Sequence, residues 1–64
     1  MEYSYPKGEV VWVSYFDEEH NLRYIITSKA SREFYFVYEF NKKGFVKLGK
    51  SKNPRILEET YIKL

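Results

Sequence analysis

Residues that favour β-strands recur with a period of two in two long stretches of this chain, with both resulting faces largely apolar, and the last stretch breaks that rhythm. The clearest case is Glu33 to Phe40, EFYFVYEF. Phe34, Phe36, Tyr38 and Phe40 fall on one side, with Tyr35, Val37 and Glu39 on the other. Alternating aromatic and β-branched residues predict a strand. The residues that follow, Asn41, Lys42, Lys43 and Gly44, suit a type I turn ended by a left-handed glycine, so the chain returns as a second strand from Phe45. In that register Phe40 faces Phe45, Tyr38 faces Lys47 and Val37 faces Leu48. The hairpin then has one broad apolar face and a second that is only partly polar, and both need cover.

An earlier hairpin precedes it. Pro6, Lys7 and Gly8 punctuate its start, and Met1 to Lys7 reads as an extended lead-in because proline restricts Tyr5. From Glu9 to Phe16, Val10, Trp12, Ser14 and Phe16 alternate with Val11, Val13 and Tyr15. The polar loop Asp17 to Asn21, with Asn21 as the expected left-handed residue, leads into a second strand from Leu22 to Ser28. Two registers are open. A four-residue loop, Glu18 to Asn21, sets Tyr15 opposite Tyr24, whereas a five-residue loop sets Phe16 opposite Leu22, and one slip exchanges the faces. The first is favoured because it gathers Val11, Val13, Tyr15, Tyr24 and Ile26, leaving Trp12, Phe16, Arg23 and Ile25 on the other side. The short link Lys29 to Arg32 makes the two hairpins an antiparallel meander.

After Gly49 the rhythm changes. Asn53 followed by Pro54 is a helix start, the asparagine capping and the proline taking a position where no amide donor is needed. Leu57, Tyr61 and Leu64 are spaced to cover one sheet face, Glu58 and Glu59 fall in the first half of the helix, and Lys63 lies near its end, which suits the macrodipole. The rival is a fifth strand through Thr60 to Lys63, closing a small SH3-like β-barrel. The expected architecture is therefore α+β and mainly β: one domain over residues 1–64, a four-stranded antiparallel meander with a short C-terminal helix on one face.

At 64 residues a single core is only just sufficient without staples. The aromatic residues, 7 Tyr, 5 Phe and 1 Trp, supply the missing buried area, while the absence of cysteine excludes disulfides and thiolate metal sites. The opening MEYSYPKGE has no charged start followed by an apolar run, and no stretch approaches the ~18 apolar residues of a membrane span. A cytoplasmic protein with no membrane partner is expected. The net charge of +2 is small, but it is unevenly spread: Lys42, Lys43, Lys47, Lys50, Lys52 and Arg55 form a run without an acidic residue, whereas Asp17, Glu18 and Glu19 cluster at an earlier turn. Such a run can meet phosphates, and it also guards an edge strand against aggregation.

Catalytic chemistry finds little footing. His20, the sole histidine, sits among adjacent loop carboxylates that point in different directions, so it reads as a solvated turn rather than a metal or acid–base site. Glu58 and Glu59 are neighbours on a helix and do not share a face. No serine has a nucleophile elbow. Although Gly44 to Ser51, GFVKLGKS, has the glycine, lysine and serine spacing of a phosphate-binding loop, these residues read as the turn and return strand of a hairpin rather than as a loop between a strand and a helix, so phosphate binding of that type is not expected. No enzyme activity, metal or cofactor is expected.

The stretch Val37 to Pro54, VYEFNKKGFVKLGKSKNP, resembles the opening hairpin and helix start of GIY-YIG nuclease-like domains. Tyr38 matches the first motif's tyrosine. Lys47, Leu48 and Gly49 stand where the second motif has Tyr-Ile-Gly, Arg55 falls earlier than the family's helical arginine, and the chain ends before the metal-binding glutamate. The resemblance covers less than a third of the chain, and the nuclease activity it implies lacks that residue.

Binding remains. Aromatic residues on a sheet beside cations resemble the layout that holds single-stranded nucleic acid, with bases stacked on rings and phosphates on ammonium groups. The expected surface is Tyr35, Trp12 and Phe16 with Arg23, Lys42, Lys43, Lys47, Lys50, Lys52 and Arg55. The alternative is a protein partner, in which the aromatic face forms a homodimer or blocks an enzyme, because Trp, Tyr and Arg anchor such interfaces.

Overall fold

The computed structural model describes residues 3–64, so Met1 and Glu2 of the expected lead-in lie outside the described residues. Strands β1 (Val10–Phe16), β2 (Leu22–Ser28), β3 (Tyr35–Asn41) and β4 (Gly44–Ser51) form one antiparallel sheet in chain order, followed by α1 (Pro54–Tyr61). This is the meander with a C-terminal helix that the hydrophobic rhythm predicts. Thr60 and Tyr61 belong to the helix, so the rival fifth strand through Thr60 to Lys63 does not form, and the sheet of the described residues has four strands.

Helix α1 starts as its sequence dictates, with the Asn53 side chain accepting a 2.9 Å hydrogen bond from the Arg55 amide and Pro54 just after it. It ends sooner than expected. Ile62 turns extended while its amide donates to the Glu58 carbonyl, so Lys63 lies beyond the helix, and neither the first turn nor the last carries a charge that complements the dipole. Ile62, rather than the exposed Leu64, joins Leu57 and Tyr61 against the sheet. Leu57 is 1% exposed and packs on Ile26 and Val37; burying such a side chain stabilises by roughly 1.5–3 kcal/mol.

The first hairpin uses both registers. Val13, Ser14 and Tyr15 pair with Ile26, Ile25 and Tyr24 as favoured, but Val10 and Val11 pair with Ser28 and Thr27, and Phe16 pairs with Leu22. Trp12 is the extra residue on β1 and Arg23 the extra residue on β2, so two bulges cancel one another. A bulge interrupts the alternation of sides. Val11 therefore leaves the side of Val13 and Tyr15, where straight alternation sets it, and joins Ile25. Trp12 likewise moves away from Ile25 and meets Tyr35, which belongs to the helix-side cluster.

The second hairpin carries a third bulge. Phe40 faces Phe45 and Tyr38 faces Lys47 as expected, but Val37 pairs with Gly49 rather than Leu48, because Leu48 is the extra residue on β4. Turn geometry differs at one point too. His20, not Asn21, takes the left-handed conformation at φ 68°, because its amide closes the turn on the Asp17 carbonyl at 3.0 Å. The Asp17 carboxylate then accepts from the amides of Glu19 and Asn21, each at 2.9 Å. Gly44, at φ 103°, is the left-handed glycine expected of it.

Opposite the helix, Leu22, Ile25, Phe36 and Tyr38 form a second buried cluster edged by Phe34, Phe40 and Phe45. The N-terminal segment covers one end of it: Tyr3 meets Phe40 edge-on at 4.9 Å and Tyr5 stacks on Phe45 at 5.3 Å. At the other end lie Phe34, half-buried, and Phe36, buried.

Candidate nucleic-acid interface

Lysine side chains occupy that end. Lys47 Nζ lies 4.4 Å from the Phe36 ring centre and 5.7 Å from that of Tyr38. Lys50 and Lys52 reach Phe34 at 5.1 and 5.7 Å, and Lys29 approaches Phe36 at 6.0 Å. The bulge at Leu48 creates this convergence. Lys47 pairs with Tyr38 and Lys50 with Phe36, two positions apart on β3, so both lysines share a face that unbroken alternation would deny them. The four lysines are themselves exposed, and an ammonium at an exposed site gains only about 0.5–1 kcal/mol from a ring, so the side chains can leave for a better partner. Lys29, Ser31, Glu33, Phe34, Phe36 and Lys50 line a depression of about 340 Å³ here.

A carboxylate ties the start of β1 to the same face. Glu9 Oε1 accepts from Thr27 Oγ1 at 2.6 Å and from the Tyr38 hydroxyl at 2.8 Å. Burial, and then the Glu9 carboxylate beside it, push the Tyr38 phenol above its ordinary range, so it remains a neutral donor. On the helix side the Tyr15 hydroxyl donates to Glu58 Oε2 at 2.6 Å, and burial together with that carboxylate raises its pKa to about 12. Both are structural ties. Among the described residues no group of three or more His, Cys, Asp or Glu side chains is placed to hold a metal ion, and no helix is long and apolar enough to cross a membrane.

The residues singled out from sequence do not all meet. Lys47, Lys50 and Lys52 gather, but around Phe34 and Phe36. Lys42 and Lys43 stand exposed on the β3–β4 turn, and Arg55 is exposed in the first turn of α1. Trp12 and Tyr35 touch edge-on at 5.6 Å on the helix side, and Trp12 is 56% exposed. Phe16 and Arg23 share their surroundings with Asp17, Glu18 and Glu19, a poor setting for phosphate. Sequence reasoning passed over Phe34, Phe36 and Lys29 as binding residues. The available signal was the shared side of Phe34, Phe36 and Tyr38, with Lys47 opposite Tyr38.

No family model, curated protein or solved structure matches the chain.

Proposed function

We propose that this protein is a small non-catalytic module of the cytoplasm that binds single-stranded nucleic acid on the sheet face opposite α1. The observation that supports this most is the seat of Lys47 Nζ, 4.4 Å over Phe36, with Lys29, Lys50 and Lys52 around the same pair of rings. Phosphates draw the flexible ammonium groups outward, and bases take the vacated ring faces. Of the residues expected from sequence, Lys47, Lys50 and Lys52 carry this role; Lys42, Lys43 and Arg55 add only to the surrounding positive field.

Anisotropy of a dye-labelled oligothymidine, titrated at low and moderate salt, tests the reading. Saturable binding that weakens as salt rises is expected, and Lys47→Ala/Lys50→Ala lowers the logarithmic salt slope by about 1.4. Absence of binding at low salt sinks it.

A second reading rests on a different surface. Val10, Trp12 and Phe16 are exposed on β1, an edge strand, and such a row suits a second copy of the chain or an enzyme partner to be regulated. Association there persists or tightens with salt, which separates it from phosphate binding.

A further inference from the structure

A depression of about 510 Å³ opens at the end of the sheet where β2 passes to β3, lined by the aromatic Trp12 and Tyr35 and by Lys29 and Arg32 of the connecting turn. The Lys29 ammonium rests 6.0 Å from the Phe36 ring on the other side of the sheet and swings over to meet a ligand here. The turn Lys29 to Arg32 closes through the Arg32 amide on the Lys29 carbonyl at 2.8 Å, which leaves Arg32 in the left-handed conformation at φ 55°. At the β3–β4 turn the left-handed residue is Gly44, the type that this conformation favours. Here an arginine that borders the depression is held in the disfavoured geometry. Backbone strain of this kind collects at ligand-binding positions.

An aromatic wall beside two cations matches a base joined to a phosphate. From this juxtaposition of Trp12 and Tyr35 with Lys29 and Arg32, we infer that the depression takes a nucleoside phosphomonoester, its base against Trp12 and its phosphate between the two cations. Lys29 lines both depressions, one on the side of Tyr35 and the other on the side of Phe34 and Phe36, so they approach one another only around the β2–β3 turn. A strand lying over Phe34 and Phe36 reaches the second site by passing round this end of the sheet with its phosphorylated end. That role rests on the proposed nucleic-acid reading, whereas a free nucleotide offers the same chemistry without it.

Trp12 is the single tryptophan and reports directly on its own site. Its fluorescence is titrated with adenosine monophosphate, adenosine, and an oligothymidine with and without a terminal phosphate. Adenosine monophosphate is expected to quench saturably, with adenosine weaker by about tenfold for want of the charge-assisted contacts. Arg32→Gly, which suits the φ of 55° and so keeps the fold, weakens adenosine monophosphate binding by about tenfold, while the melting temperature is unchanged or higher. Lys47→Ala/Lys50→Ala weakens both oligothymidines and leaves adenosine monophosphate alone. No quenching by adenosine monophosphate, equal binding of adenosine, or indifference to Arg32→Gly overturns the inference. Adenosine monophosphate binding with no oligothymidine binding upholds this site and removes the strand reading. Oligothymidine binding indifferent to the terminal phosphate, with no adenosine monophosphate binding, does the reverse.

Discussion

The Tyr38 hydroxyl donates to the Glu9 carboxylate at 2.8 Å across 29 positions of the chain, and the same oxygen accepts from Thr27 at 2.6 Å. Both donor residues are buried, so this carboxylate is the acceptor that lets two polar groups enter an apolar face. Glu9→Ala leaves both hydroxyls short of an acceptor and is expected to cost about 2 kcal/mol in urea unfolding. Glu9→Gln, which keeps an acceptor oxygen, costs less. Equal stability of Glu9→Ala and the parent protein contradicts this role.

The two raised phenols give a signature at alkaline pH. Tyr15 rises to about 12 and Tyr38 is also raised, whereas a tyrosine of the unfolded chain ionises near about 10. A folded-state value above the unfolded one means that the stability is whole below about pH 10 and is lost as pH climbs from there toward the folded values. Unfolding free energy should therefore fall between about pH 10 and 12. Tyr15→Phe should flatten part of that decline. Phenolate absorbance in which every tyrosine titrates together near about pH 10, with the protein still folded, contradicts the assignment.

Gly49 and Tyr61 lie in close approach. A β-carbon added at Gly49 would stand 2.7 Å from Tyr61 Cζ, so the ring of α1 has to shift if any side chain replaces this glycine. Gly49→Ala should destabilise by about 1–3 kcal/mol. Pairing it with Tyr61→Leu should cost less than the sum of the two single changes, because the clash is then gone. Strict additivity in thermal unfolding rules this contact out.

His20 holds a left-handed backbone at φ 68° on an exposed turn. His20→Gly removes the steric cost of that conformation and gives back part of it as chain entropy, for a net gain of about 0.5 kcal/mol. Chemical denaturation reads the shift directly; a loss of stability would mean that the imidazole holds the turn.

What sequence made legible was local. Asn53 with Pro54 starts a helix, Gly44 takes a positive φ, and Phe40 meets Phe45, because each depends on residues that are near neighbours in the chain. The bulges at Trp12, Arg23 and Leu48 were not legible, since one extra residue leaves composition and apparent alternation intact while it re-sides the neighbouring side chains. That is why Lys50 came to share a face with Lys47, and why Trp12 came to face Tyr35. The partner of Thr27 and Tyr38 was hidden for another reason. Their inward positions call for an acceptor, but only the path of the chain brings Glu9 to them.

The most direct test of the account is amide chemical-shift mapping of the labelled protein with a short oligothymidine at low salt. Shifts concentrated at Phe34, Phe36, Lys47 and Lys50, fading as salt is added and absent from Leu57 and Tyr61, are the predicted result. Shifts centred on α1 or on the β1 edge, or no shifts at all, would contradict it.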